Sequence, residues 1–203
     1  GLSLLTDALI VLQADAPEGQ VFSKWNDGKA DNPRIVTAAD ASQLFPLFLP
    51  KTGQGAVCVK LPVLAGAGMG AVNVNAAAVT EGESVQLKLV VLPSYSQSSV
   101  KVFANGKELD ATLSLRASSE TKTLFYTLSG LSEDVDVEVS GLKQNEYVVS
   151  LEQQDGGIVR ASQVGMVKHG TIVTLEAAPD RGNMFVKWED GNTLNPYRYV
   201  VTD

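Results

Sequence analysis

Residues 182–196 read Gly-Asn-Met-Phe-Val-Lys-Trp-Glu-Asp-Gly-Asn-Thr-Leu-Asn-Pro, and residues 19–33 read Gly-Gln-Val-Phe-Ser-Lys-Trp-Asn-Asp-Gly-Lys-Ala-Asp-Asn-Pro. The two stretches lie 163 positions apart and share the pattern G-x-x-F-x-K-W-x-D-G-x-x-x-N-P without a gap. Both tryptophans of the protein occupy equivalent positions in this pattern. The chain therefore contains two copies of one repeat, the early copy (residues 19–33) and the late copy (residues 182–196).

Each element of the shared pattern has a structural interpretation. Asp-Gly supplies the positive-φ residue that a tight hairpin turn requires. Asn-Pro begins a second turn and stops strand pairing, because proline donates no ladder hydrogen bond. Phe and Trp lie three residues apart, so a regular strand would send them to opposite faces. Either both faces of the strand are covered, or a bulge realigns the two side chains. The repeat signature comprises Phe22, Trp25, Asp27, Gly28, Asn32, Pro33, Phe185, Trp188, Asp190, Gly191, Asn195 and Pro196.

The segment between the copies predicts a β-sandwich. Residues 84–92 alternate strictly between apolar and other side chains, and the alternation returns at 124–128 and 135–139. Asn105-Gly106 is a strong hairpin signal between two strand-like runs. No apolar pattern of helical period persists, so we expect an all-β protein without a long helix. We predict three tandem modules: residues 1–50, a central sandwich at 51–144, and residues 145–203.

Composition excludes several functional classes. The formal net charge is −7 at neutral pH, which disfavours a surface that binds nucleic acid. The apolar runs are shorter than the roughly 18 residues that span a bilayer. A single cysteine excludes an internal disulfide and fits an oxidising compartment, where free thiols are a liability. We therefore expect an extracytoplasmic protein with no membrane span in this segment.

The late copy carries a family resemblance that extends beyond the shared pattern. Gly157-x-Val159 precedes Gly170-Thr171-x-Val173-x-Leu175-x-Ala177-x-Pro179, and the signature residues follow. This order and spacing resemble the divergent internalin-type B-repeat of bacterial cell-surface proteins, and the early copy is similar from Leu12 through Pro33. The middle segment looks like the Ig-like spacers found beside such repeats. The resemblance implies a secreted or surface-anchored, non-catalytic module and names no ligand.

The two copies differ at their ends, and this difference predicts exposed sheet edges. The late copy stops before any counterpart of Leu44 to Phe48, which resembles the closing strand of the repeat. The early copy has nothing like Gly-Gly-x-Val before Leu9. Missing strands leave unpaired backbone groups that invite pairing with another chain. We expect these modules either to dock on the middle domain or to self-associate, with Tyr199 to Asp203 as the exposed edge.

The residues that could support catalysis or bind a metal are sparse. His169 is the only histidine and lies in a turn before a strand, whereas Cys58 lies in a strand-like run of another module, so a catalytic triad or a zinc site is disfavoured. Asp134, Asp136 and Glu138 share one face of a strand whose other face is valine. We interpret them as a half-solvated face, with a calcium site as the alternative. We expect no catalytic residue, no cofactor, no metal and no enzymatic activity.

Tyr197 and Tyr199 are the candidate binding residues. They alternate with Arg198, which places both rings on one face of a strand. Exposed aromatic rings on a sheet stack on sugars or on partner proteins, although packing in a core is their commoner role. The sequence therefore favours an adhesion scaffold or spacer that contacts a protein or glycan at the cell surface. A carbohydrate-binding module, free or appended to a glycan-active enzyme, is the alternative.

Overall fold

The computed structural model describes residues 8–51, 55–64, 69–117 and 120–202. Strands dominate these residues, and the helical elements among them are α1 (Ala38–Ala41) and a 3-10 turn at Pro93–Tyr95. The predicted all-β class is confirmed. The chain divides into two compact units, residues 1–93 with 99–142, and residues 94–98 with 143–203. The predicted boundaries at 50/51 and 144/145 stay predictions. The ends 1–7 and 203, on which part of the edge prediction falls, lie outside the described residues.

The early copy forms two pairs of antiparallel strands. Its strands are β1 (Leu9–Leu12), β2 (Gln20–Trp25), β3 (Arg34–Thr37) and β4 (Pro46–Pro50). β1 pairs with β3, and β2 pairs with β4 with a register shift between Phe22 and Lys24. The closing strand begins at Pro46, later than Leu44. The residue before it is held by Asn26: the Phe45 N–H donates to the Asn26 Oδ1, and the Phe45 carbonyl accepts from the Asn26 N–H.

The middle segment forms the two sheets of a sandwich. Its strands are β5 (Ala56–Lys60), β6 (Gly70–Val74), β7 (Ala78–Thr80), β8 (Val85–Val91), β9 (Lys101–Ala104), β10 (Lys107–Leu109), β11 (Leu113–Arg116), β12 (Lys122–Leu128) and β13 (Val135–Ser140). The sheet orders are β10-β9-β13-β5-β7 and β11-β12-β8-β6. β8 alternates as predicted, with Val85, Leu87 and Leu89 fully buried. A similar alternation in β12 and β13 supplies further apolar residues of the core.

The second unit contains the late copy. Its strands are β14 (Glu146–Val149), β15 (Gly157–Ala161), β16 (Gly165–Lys168), β17 (Ile172–Pro179) and β18 (Tyr197–Val200). β14 pairs with β16, whereas β15, β17 and β18 form a three-stranded sheet with β18 at its edge. The core is a cluster of Val167, Val173 and Val201, with Tyr147 and Tyr199 packed against it.

In the two copies, the corresponding strand pairs β1–β3 and β17–β18 have the same register. In the early copy Leu9 lies opposite Thr37 and Ile10 opposite Val36. Shifted by the repeat offset, these pairs become Ile172 opposite Val200 and Val173 opposite Tyr199, which are the pairs that β17 and β18 make. A sheet's register fixes which side chains face its core, so the same face is turned inward in both copies.

The described residues include no helix that is both long and apolar enough to cross a membrane.

Candidate functional site

The Asp-Gly turn is built in the same way in both copies. Gly28 and Gly191 have φ values of 83° and 86°, which only glycine adopts readily. The Trp25 N–H donates to the Lys29 carbonyl at 2.8 Å, and the Trp188 N–H donates to the equivalent carbonyl of Asn192 at 2.8 Å. The aspartate carboxylate of each turn accepts a further hydrogen bond from the backbone N–H two residues later. The turn residues are therefore used to close the hairpin.

The asparagine of each Asn-Pro pair clamps a neighbouring backbone segment. The Asn32 Oδ1 accepts from the Ala14 N–H at 2.9 Å, and its Nδ2 donates to the Ala14 carbonyl at 2.7 Å. Asn195 makes the same pair of bonds with Ala177, at 2.9 and 2.7 Å. The side-chain amide thus replaces a missing strand partner. The sequence predicts only a turn at this asparagine. The signal that could have indicated the clamp is the alanine that lies 18 positions before the asparagine in both copies.

The two aromatic rings of the signature lie close together in both copies. The Phe22 and Trp25 ring centroids are 5.7 Å apart, and those of Phe185 and Trp188 are 5.1 Å apart. In the early copy the register shift after Phe22 turns both rings to one side. Each indole N–H donates to the carbonyl of the residue before the asparagine, at 2.8 Å in the early copy and 2.7 Å in the late copy.

The two tryptophans differ in burial. Because the repeat keeps both beside the same turn residues, the sequence predicts that both are largely buried, and Trp25 is, with 3% of its surface exposed. Trp188 is only half-buried. The physical reason is local: β4 pairs with β2 beside Trp25, whereas among the described residues no strand pairs with 183–188.

The residue after the Asn-Pro pair contacts the turn aspartate in both copies, with different chemistry. Arg34 forms an ion pair with Asp27 at 2.9 Å, and its guanidinium lies 5.8 Å from the centre of the Trp25 ring. Tyr197 hydrogen-bonds Asp190, which raises the pKa of that phenol, and its ring lies 6.4 Å from Trp188. The hydrogen bond from Arg34 lowers the pKa of Asp27 below its ordinary value.

The Asp27–Arg34 pair predicts an acid-sensitive contribution to stability. Because the folded-state pKa of Asp27 is lowered, the contribution is present above the unfolded pKa and is lost as the pH falls through the folded one. Asp27→Asn should therefore lower the melting temperature at pH 7 and have progressively less effect as the pH falls below about 4. Thermal unfolding of both proteins across this range measures the difference. A melting-temperature gap that is independent of pH would contradict the prediction.

An open cleft lies on the late copy beside its signature residues. Its volume is about 840 Å³, and its lining includes Met184, Phe185, Trp188, Tyr197 and Tyr199. The last four form a continuous row, in which Phe185 contacts Trp188, Trp188 contacts Tyr197, and Tyr197 lies 6.3 Å from Tyr199. The structure thus brings the two candidate binding tyrosines together with the late signature aromatics in one concave surface.

The other chemically interesting residues are dispersed. Cys58 is half-buried in β5, and burial raises the pKa of its thiol, which makes the nucleophilic thiolate scarcer. His169 lies between β16 and β17, with its ring 6.0 Å from that of Tyr147. Asp136 lies 3.4 Å from the Lys60 ammonium, and the Asp134 carboxylate accepts from the Cys58 N–H. Within the described ranges no cluster of three or more His, Cys, Asp or Glu residues is arranged to hold a metal ion.

Comparison with known proteins gives one result that bears on the late copy. Residues 147–201 match the family model of the divergent InlB B-repeat domain. No match was found among curated proteins or among solved structures. The matched range runs from β14 to β18 and contains the whole late signature. The family whose model residues 147–201 match is the one that the order and spacing of the late copy predicted.

Proposed function

We propose that the chain is a non-catalytic, extracytoplasmic module of a bacterial surface protein that serves as an adhesion scaffold or spacer. The match of residues 147–201 to the B-repeat family supports this role, because repeats of this type are typical of bacterial surface proteins. The observation that carries the proposal is the duplication itself. Two copies with the same register and the same side-chain clamp are what a structural element used in tandem requires.

The use of the signature residues also supports a structural role. The Asn32 and Asn195 amides bind backbone groups of the neighbouring alanines, and both indole N–H groups bind carbonyls. Catalytic groups need a free proton donor, acceptor or nucleophile directed at a substrate. In these residues the side-chain polar atoms are already used to hold the fold.

The localisation part of the proposal is tested on cells of the source bacterium. An antibody raised against the 203-residue protein should label intact cells or appear with the secreted fraction. A cytoplasmic marker protein, probed on the same cells, controls for lysis. Labelling that appears only after the cells are permeabilised, together with the cytoplasmic marker, would place the protein inside the cell and refute the proposal.

A carbohydrate-binding module is the second candidate, and the aromatic row in the late-copy cleft is the observation that favours it. Rows of rings in a concave surface stack on the faces of sugar rings, and the cleft has the size of a small-ligand site. Tyr197 is the informative residue, because Tyr199 also packs against the core cluster of Val167, Val173 and Val201.

A glycan array separates the two candidates. Selective glycan binding that Tyr197→Ala abolishes and Tyr197→Phe retains would establish ring stacking and favour the second candidate. Absence of selective binding by a folded protein would leave the scaffold role as the better account of the cleft.

A further inference from the structure

One residue of β2 hydrogen-bonds the early copy to the middle sandwich. β7 ends the order of the five-stranded sheet, and β2 lies against it within the same compact unit. The Ser23 hydroxyl donates to the Ala78 carbonyl at 2.6 Å, and the Ser23 carbonyl accepts from the Ala77 N–H at 2.7 Å. The hydroxyl bond joins residues 55 positions apart, so this contact belongs to the tertiary fold and not to a local turn.

The register shift of β2 is what frees Ser23 for this contact. In β2, Phe22 lies opposite Phe48. The next paired residue is Lys24, opposite Leu47, so Ser23 is the extra residue and has no partner in β4. A bulge of this kind takes one residue out of the ladder and re-aims it. The bulge in the early copy therefore directs the hydroxyl and the carbonyl of Ser23 at β7.

The edge of β7 that receives Ser23 is built for a close approach of backbone to backbone. Residues 76–78 are three successive alanines, and Ala76 and Ala78 are buried. Each projects only a methyl group, so no long side chain separates this edge from β2. Ser23 is also buried, and a carbonyl buried without a donor is destabilising. The docked copy thus gives the strand edge a partner that an open edge lacks.

We propose that the edge of β7 is a docking surface for a repeat copy with a serine at the bulge, and that this docking makes the early copy and the sandwich one rigid body. The late copy has Val186 at the equivalent position, and valine has no hydroxyl to donate to a strand carbonyl. The bulge residue is therefore the specificity-determining position, which distinguishes a copy that can bind this edge through its side chain from one that cannot.

The consequence is a fixed orientation of the two modules. Tandem modules with small contacts ordinarily move relative to one another. A pair joined by buried hydrogen bonds from both the side chain and the backbone of Ser23 keeps one direction along the chain. The inference does not depend on the proposed function, because a fixed orientation would serve a scaffold and a glycan-binding protein alike.

Amide hydrogen exchange of the whole protein, followed by NMR, tests the docking through the Ala77 N–H. Ser23→Val introduces the residue of the late copy and removes the hydroxyl, so the Ala77 amide should exchange about tenfold faster or more. Ser114→Val is the matched control, because Ser114 is exposed in β11 of the same unit. It should leave the Ala77 exchange rate at the wild-type value. Amides of β8 and β12 should keep their wild-type rates in both variants, which shows that the sandwich stays folded.

A second variant and a second measurement separate docking from a single local hydrogen bond. Ser23→Ala removes only the hydroxyl and adds no bulk, so it decides the test if Ser23→Val does not fold, and it should also accelerate Ala77 exchange. Nitrogen-15 relaxation should give one rotational correlation time for the early copy and the sandwich in the wild type, and two in the folded Ser23 variants. Two correlation times in the wild type, one in the variants, or an unchanged Ala77 exchange rate would overturn the proposal.

Discussion

Trp25→Ala should be the most damaging single substitution in the repeat signature, with a loss of about 3–5 kcal/mol in the free energy of unfolding. The indole is 3% exposed, and it contacts Phe22 and the Arg34 guanidinium. Its N–H also satisfies the Asp31 carbonyl at 2.8 Å. Truncation removes all three interactions and leaves a cavity beside a tightly packed strand. Urea unfolding followed by circular dichroism measures the loss.

Trp188→Ala is the matched comparison in the late copy. It removes an equivalent hydrogen bond and an equivalent ring contact, but the indole is only half-buried. Its cost should therefore be clearly smaller than that of Trp25→Ala, because less apolar surface is returned to water. Equal costs at the two positions would show that the late copy covers its tryptophan as fully as the early copy does.

Asn32→Ala should have the second-largest effect, a loss of about 2–4 kcal/mol. The substitution removes two hydrogen bonds at once, and it leaves the N–H and the carbonyl of Ala14 without this partner. Ala14 is 8% exposed, so water replaces the missing amide poorly. Chemical denaturation of Asn32→Ala and the wild type measures the effect.

Asn195→Ala is the control for this prediction. Asn195 makes the same two bonds to Ala177, but Ala177 is only half-buried, whereas Ala14 is buried. Solvent satisfies the freed backbone groups more easily there, so the cost should be smaller. A negligible effect of Asn32→Ala would mean that the clamp contributes little to stability and that the shared asparagine has another use.

The sequence predicted the repeat and the strands because both depend on local patterns. The alternation of Val85, Leu87 and Leu89 predicted one buried face of the sandwich, because side chains alternate between the two faces of a strand. Asp-Gly predicted the turns, because glycine readily adopts a positive φ. A bulge was one of two alternatives left open by the spacing of Phe22 and Trp25, the other being a strand covered on both faces. The structure selects the bulge through the register shift between β2 and β4.

The remaining features depend on contacts between distant residues and were not predictable from local pattern. The clamp from Asn32 to Ala14 spans 18 positions, and the partial exposure of Trp188 depends on which strand lies beside it. The cleft could not be predicted from the sequence, because its lining also comes from residues that are distant along the chain. Tyr197 and Tyr199 could be placed on one face from their spacing, but their continuity with Phe185 and Trp188 requires the three-dimensional fold.

Amide hydrogen exchange followed by NMR tests most directly whether the two copies share one strand register. Amides in β3 should be protected in the same alternating positions as amides in β18 after a shift by the repeat offset, because among the described strands β3 pairs only with β1 and β18 only with β17, in the same register. The Ala14 and Ala177 amides, each held by an asparagine side chain, should be protected together. Protection at positions that do not correspond, or exchange at the rate of an unfolded chain in one copy only, would contradict the account.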